Sequence, residues 1–272
     1  MKRGATPGPM AAPEVPADVY DQDYYLHCCA GHEEWEVSGG TRFAGLYAGA
    51  LERAALRPGE VVLDLGTGRG ELLAVALSKG ASMAIGVEYS HCALGLARRT
   101  LQTAGTGPEA MLLASDAREL PVPDRTAHLV TMLDIVEHLT PEELDLALKE
   151  ALRVLRPGGR LLAHTMPTKT IYEVTYRLQR LAIPGRRRRW PANPRIAEEK
   201  AMHVNEQTRR NLRRSLRRAG FSEVKVVRGK WVHPAWVPDE RAERLYHRLA
   251  AHRPTAWLGV ADLWAQAVRA PR

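Results

Sequence analysis

Val61-Val62-Leu63-Asp64-Leu65-Gly66-Thr67-Gly68-Arg69-Gly70-Glu71-Leu72-Leu73 is the stretch that decides how this chain folds. Val61, Val62, Leu63 and Leu65 make a short apolar, partly β-branched run, the pattern of a parallel strand covered on both faces. Asp64 interrupts the run near its carboxyl end, and three alternating glycines follow. Glycine lets the backbone turn sharply and approach a ligand with no side chain in the way. Glu71 to Leu77 then reads as the first turns of a helix, so the stretch describes a strand handing over to a helix at a nucleotide-binding turn.

A G-x-G-x-G also serves ordinary strand-to-helix connections, so the neighbouring segments decide. Met83 to Val87 is a second apolar strand, ending in Glu88, 24 residues after Asp64. From that position a carboxylate can accept hydrogen bonds from ribose hydroxyls. Met111 to Ala114 is a third strand, running into Ser115-Asp116-Ala117, and Ala127 to Leu133 is a fourth, ending in Asp134. Four strands thus each deliver a carboxylate to the carboxyl edge of one sheet, where open α/β folds bind ligands.

Together these segments resemble the class I S-adenosylmethionine-dependent methyltransferases, and within them the small-molecule group similar to the ubiquinone and menaquinone methyltransferases. The resemblance covers residues 55 to 165, and Val154 to Leu162 looks like the family's helix, tight turn and fifth strand. Dinucleotide dehydrogenases more usually show G-x-G-x-x-G, whereas here the third glycine comes one residue early. The resemblance implies an α/β fold, a doubly wound, mostly parallel seven-stranded sheet of the Rossmann-like methyltransferase type with an inserted helical lid. It implies S-adenosyl-L-methionine as cofactor, held by Asp64, Gly66, Thr67, Gly68 and Gly70 of the loop, with Glu88 and Tyr89 at the ribose. Asp116 and Ala117 would face the adenine, and Leu133 and Asp134 would lie beside the reacting methyl. Tyr24 or Tyr25, in the aromatic segment Tyr20 to Tyr25, would fold across the methionine moiety. Near the carboxyl end a sixth strand at Val224 to Val227, a helix at Pro238 to His252 and a seventh, antiparallel strand at Ala261 to Val268 complete the fold. Trp231, Trp236, Trp257 and Trp264 cluster there as core or as an apolar substrate wall.

With 272 residues, 45% of them hydrophobic, the chain can bury one substantial core. The expected organisation is a disordered lead-in over 1–19 and one methyltransferase domain over 20–272. Within the domain, 20–56 form cover helices, 57–168 the cofactor core, 169–207 a basic lid and 208–272 the last part of the sheet. A helix is expected from Thr41 to Ala55 after the flexible Ser38-Gly39-Gly40. No apolar run approaches the roughly 20 residues of a membrane span, and the opening segment lacks the apolar core of a signal peptide. A cytoplasmic protein, peripheral to a membrane if anything, is the expectation. Cys28, Cys29 and Cys92 form no C-x-x-C pair, which argues for free thiols.

Charge is uneven. Residues 169–272 carry a balance of +15, while 1–168 carry −7. Such asymmetry suggests an anionic partner: a membrane surface, a phosphorylated substrate or nucleic acid. In Thr208 to Gly220 the arginines largely solvate a helix whose buried stripe is Leu212, Leu216 and Ala219. Arg186, Arg187, Arg188 and Arg189 instead follow a break at Pro184-Gly185. Before them Ile171, Val174, Thr175, Leu178, Leu181 and Ala182 recur at helical spacing, predicting an amphipathic lid helix over Thr170 to Ile183. The helix, the arginines and Trp190 would suit anionic headgroups. Aromatic and basic residues do not interleave as a single-strand stacking platform requires, which counts against nucleic acid.

The candidate catalytic residues are His138 and His203. In ubiquinone-type O-methyltransferases a run similar to Asp134-Ile135-Val136-Glu137-His138 is assigned to a divalent cation. Asp134, Glu137 and His138 would then share one face of a helical turn, while a substrate contact and a structural role remain alternatives for His138. His203, in Met202-His203-Val204-Asn205, resembles the segment that closes the substrate pocket. The expected activity is methyl transfer to a small-molecule or lipid-like acceptor through O, N or C. The alternatives are RNA methylation by the basic half and a cofactor-binding partner protein without enzymatic activity.

Overall fold

The computed structural model describes residues 11–106, 108–182, 188, 190–195, 197–229, 244, 248, 251, 255 and 262–271. Its strands are β1 (Val61–Leu65), β2 (Met83–Glu88), β3 (Ala110–Ala114), β4 (Ala127–Leu133), β5 (Leu155–Thr165), β6 (Ser222–Arg228) and β7 (Leu263–Val268). They form one sheet of order β3-β2-β1-β4-β5-β7-β6. The first five run parallel, and β7 inserts antiparallel between β5 and β6. The expected doubly wound sheet, including its reversed seventh strand, is what the chain forms.

Alternation along the central strands feeds two cores. Leu63, Leu65, Val130 and Leu161 face the side covered by α6 (Pro141–Val154) and α9 (Arg209–Ala219), meeting Leu144, Leu148, Leu212 and Leu216. Val62, Leu129 and Leu162 face the other side, against Ala50 and Leu51 of α3 (Gly45–Arg53) and Leu72 and Ala76 of α4 (Glu71–Ser78). A strand buried on both faces explains why β1 reads as an almost unbroken apolar run. Thr140 opens α6 through a capping box with Glu143. Thr208 caps α9 and Gly220 ends it in the left-handed conformation.

The structure revises three expectations and leaves a fourth outside the described residues. The helix expected from Thr41 starts at Gly45, because the Ser38 hydroxyl accepts the Thr41 and Arg42 amides at 3.2 and 2.9 Å and holds them in a turn. From residue 11 the lead-in is packed rather than disordered. Val15 is 4% exposed and accepts the Tyr89 hydroxyl at 3.1 Å, and the Ala11 carbonyl accepts from Arg118 at 3.0 Å. The lid helix spans Ile171–Ala182, but its first six residues, Ile171–Tyr176, are π-helical before α7 (Arg177–Ala182) begins. The i→i+5 bonding turns each residue through a smaller angle, so positions at α-helical spacing drift off one face. Ile171, Tyr172, Thr175 and Tyr176 are buried while Val174, Leu178 and Leu181 are exposed. The helix expected at Pro238 to His252 lies outside the described residues except for three positions, as do Trp231, Trp236 and Trp257 entirely.

Candidate functional site

A cavity of about 640 Å³ runs along the carboxyl ends of β1, β2, β4 and β5, within the range of small-molecule sites. It is roofed by α1 (Gln22–His27) and the packed lead-in, and closed beyond β5 by α8 (Ala197–Met202).

At one end β1 delivers Asp64 and the loop. Gly68 has φ +53°, and a Cβ there would sit 3.5 Å from the Tyr25 ring. Tyr25 therefore lies directly over the glycine, which leaves a cradle of bare backbone. Asp64 is deeply buried and accepts the Thr131 hydroxyl at 2.6 Å. Burial pushes its carboxyl up to about 7, against the pull of that hydroxyl. The Thr67 hydroxyl is buried in the same wall and, with Thr131, acts to lower the Asp64 carboxyl against the effect of burial. Glu88, at the end of β2, accepts three backbone amides: Gly68 at 3.1 Å, Tyr89 at 2.9 Å and Ser90 at 3.0 Å. Burial raises its pKa, and those amides oppose the rise. Asp116 receives Arg118 through two nitrogens, Nε at 3.0 Å and Nη2 at 2.8 Å, beside the buried Ala117. Leu133 and Asp134 line the cavity where β4 ends.

Sequence reasoning passed over the anchor of this end. Arg69, between two loop glycines, is 2% exposed. It donates to the Tyr25 carbonyl, to Ala30 O at 2.7 Å and to Glu71 at 3.1 Å, while Tyr47 donates to Glu71 at 2.8 Å. The loop is thereby tied to the cover that lies over it. An arginine inside a glycine loop, two residues before an acid, was the available signal.

The other end brings His138 and His203 together, with ring centroids 4.9 Å apart. Tyr20 Oη lies 2.9 Å from His138 Nδ1. Burial, helped by the neighbouring His203, drives His138 down to about 3, so its ring is neutral. Glu137 accepts the Thr165 hydroxyl at 2.7 Å and the Met166 amide at 3.3 Å. Burial and the nearby Asp134 push Glu137 up to about 8.

No metal is the expectation from sequence, and the alternative ligand set of Asp134, Glu137 and His138 is not the group that the structure brings together. The residues whose ligand atoms fall within 4.8 Å of one another are Glu137, His138 and His203. Asp134 has φ +53° and is engaged by His164, its Oδ1 lying 2.7 Å from His164 Nδ1. Even the observed trio is committed elsewhere, since both Glu137 oxygens and His138 Nδ1 have the partners just described. That donor set fits a hydrogen-bond network better than a cation.

His164, on β5, is a wall residue the sequence did not flag. Its Nε2 lies 3.4 Å from Asp262, which also accepts the Trp264 indole N–H at 2.9 Å. Burial opposes the charge on His164, but Asp134 and Asp262 outweigh it and raise the imidazole to about 10.

Comparison with known proteins agrees with this geometry. A family model described as a methyltransferase domain matches residues 62–159. Ubiquinone/menaquinone biosynthesis C-methyltransferase UbiE of Laribacter hongkongensis is 30% identical over 187 residues, covering 64% of this chain and 72% of that protein. UbiE of Vibrio cholerae serotype O1 is 29% identical over 186 residues, covering 64% and 68%. Among solved structures, Haemonchus contortus phosphoethanolamine N-methyltransferase 2 in complex with S-adenosyl-L-methionine superposes with a TM-score of 0.61 at 15% identity, covering 94% of this chain and 57% of that one. The [4+2]-cyclase SpnF has a TM-score of 0.58 at 20% identity, covering 83% and 80%. The structural likenesses speak for the fold alone, as the cyclase among them illustrates.

The chain belongs to the class I S-adenosylmethionine-dependent methyltransferases, in the group that contains the ubiquinone and menaquinone C-methyltransferases. It is an enzyme, and its cofactor is S-adenosylmethionine.

Proposed function

We propose that the enzyme methylates a small or lipid-like acceptor held at the His138 and His203 end of the cavity. The observation that carries this reading is one continuous cavity, bounded at one end by Gly66, Glu88 and Asp116 and at the other by Met166, Met202 and His203. The cofactor supplies a methyl group on a positively charged sulfur. The protein therefore has to hold the nucleophile in line and exclude water, a contribution worth about 7 to 11 kcal/mol in well-oriented systems.

Glu88, fixed by three amides, would accept the ribose hydroxyls. Asp116 and Ala117 would flank the adenine beside Tyr89. Asp64, Thr67 and the bare backbone of Gly66, Gly68 and Gly70 would receive the methionine moiety, with Leu133 and Asp134 beside it and Tyr25 above. His138 would touch the acceptor as a neutral hydrogen-bonding ring, since a group pushed to about 3 is a feeble base at neutral pH. That leaves His203 as the candidate to take a proton where the acceptor must lose one.

The relatives are C-methyltransferases by name, which favours carbon over oxygen and nitrogen as the acceptor atom. A lipid-like acceptor would bring a cytoplasmic enzyme to a bilayer surface. Arg186 to Arg189 would then meet headgroups; of these Arg188 is exposed, and Arg186, Arg187 and Arg189 lie outside the described residues. No helix among the described residues is long and apolar enough to cross a membrane. RNA is disfavoured because arginines on the exposed face of α9 already have partners within the chain: Arg209 donates to Val226 O and Arg218 pairs with Asp145 at 2.6 Å.

The test is transfer of labelled methyl from S-adenosylmethionine into a cell extract split into lipid, small-metabolite, protein and RNA fractions. Label in the lipid or metabolite fraction is expected. Label confined to RNA would overturn the reading.

A further inference from the structure

The π-helical start of the lid leaves an apolar stripe facing outward. Val174, Leu178 and Leu181 follow one another at i, i+4 and i+7 and are 38%, 53% and 66% exposed. The opposite side of the same segment is fully used. Ile171, Tyr172, Tyr176 and Trp190 form a separate buried cluster, with Tyr176 stacked on Trp190 at 5.4 Å and its hydroxyl donating to Pro191 O at 2.7 Å. The segment is thus apolar on two sides, and its own fold buries only one. A surface helix that needed nothing further would carry polar residues at these three positions.

Charge around the stripe is mostly positive, since the exposed Glu173 beside Val174 is met by Lys169 at 3.8 Å. From Val174 to Ala197 the sequence contains seven arginines and no aspartate or glutamate. Arg177 and Arg188 are exposed. An apolar strip among arginines is the composition of a helix that lies in a bilayer interface, with its side chains among the acyl chains and its cations at phosphate headgroups. A second copy of this chain would set those arginines against their own kind, which costs affinity.

The segment is also joined to the cavity. The Tyr172 hydroxyl donates to Glu199 of α8, the His203 amide donates to Glu199 O at 2.9 Å, and Met202 and His203 line the cavity. The outward stripe lies one helix away from the acceptor end.

We propose that Val174, Leu178 and Leu181 form a docking face for an anionic lipid bilayer, which seats the lid on the membrane next to the acceptor end of the cavity. This rests on the reading of a lipid-like acceptor, but it is tested without any acceptor.

The experiment is cosedimentation of the full chain with vesicles of phosphatidylcholine alone and of phosphatidylcholine mixed with phosphatidylglycerol. S-adenosylmethionine affinity is measured in parallel by calorimetry. The parent protein is expected to pellet with the acidic vesicles. The combined variant Val174→Gln, Leu178→Gln, Leu181→Gln should bind them at least about tenfold more weakly, as removal of buried apolar area implies, with cofactor affinity unchanged. Leu181→Gln alone, at the most exposed position, should show a smaller loss of the same kind. A parent that ignores acidic vesicles, or a combined variant that pellets as the parent does, overturns the proposal. It is equally overturned if the parent is a dimer in free solution that the combined variant dissolves, or if both variants lose cofactor binding along with vesicle binding. Failure of methyl transfer to any lipid, with vesicle binding intact, would strike the acceptor reading and leave the docking face standing.

Discussion

Asp134 and His164 meet at 2.7 Å on the cavity wall, the first just past β4 and the second near the end of β5. The contact needs an unusual backbone, since Asp134 has φ +53°, a conformation that non-glycine residues adopt sparingly. The Asp134 amide donates to the His164 carbonyl at 3.1 Å, so the strained turn is stapled to the neighbouring strand. With Asp262 on the far side of the ring and Trp264 packed on it at 4.3 Å, His164 is a buried cation between two carboxylates. Both its nitrogens face protein carboxylates, so it orients Asp134 instead of exchanging protons with a substrate.

This arrangement makes stability depend on pH in a defined sense. An unfolded histidine titrates near about 6.5, whereas folded His164 is raised to about 10. A raised pKa stabilises the fold fully below the unfolded value, and the contribution fades as pH climbs towards the folded one. His164→Gln should therefore cost about 3 to 5 kcal/mol near pH 6, most of it from leaving carboxylates unpaired. The difference should shrink as pH approaches 10. Denaturant midpoints measured at several pH values check this, and a pH-independent gap would contradict it.

Arg69 supports a kinetic prediction. Because it links the glycine loop to the Tyr25 and Ala30 carbonyls, Arg69→Met should loosen the cover over the cofactor. Stopped-flow measurement should show S-adenosylmethionine dissociating at least about tenfold faster, the scale of losing a charge-assisted hydrogen bond. Unchanged dissociation would mean that the cover is held by its apolar contacts alone.

How much of this was legible in the sequence follows from which residues act locally. Val61 to Gly70 could be read because a doubly buried strand and a glycine turn leave their mark in consecutive residues. The carboxylates Glu88, Asp116 and Asp134 could be placed because each ends a strand or follows one within two residues. His164 could not, because its partners lie 30 and 98 positions away and reach it only when β5 pairs with β4 on one side and with β7 on the other. The stripe of the lid was misread for a related reason. Spacing assumed an α-helix, and the π-helical turn at Ile171–Tyr176 shifts the phase by a local geometry that composition does not reveal.

Glu88 makes a sharper binding prediction than a simple truncation would. Its oxygens already accept three backbone amides, and an amide side chain in its place would turn N–H donors toward N–H donors. Glu88→Gln should weaken S-adenosylmethionine binding at least about tenfold, corresponding to about 1.5 to 3 kcal/mol. Calorimetry of this variant against the parent checks it; equal affinity would remove Glu88 from the ribose site.

Asp64 should make cofactor binding itself pH-dependent. Its carboxyl is raised to about 7 by burial, so near neutrality a fraction of the free enzyme carries a proton there. On the proposed placement of the cofactor, contact with the cationic amino group of its methionine moiety would favour the carboxylate, so binding should release part of a proton at pH 7. Affinity should then fall as pH drops below about 7, by at most tenfold per pH unit for a single group. Calorimetry at pH 7 in two buffers of different ionisation enthalpy measures that release directly. Asp64→Asn, which keeps the size and can still hydrogen-bond Thr131, should bind more weakly at pH 8 and show neither the pH slope nor the proton release. Equal proton release by parent and variant would assign the titration to another group and leave Asp64 as a structural acid beneath the loop.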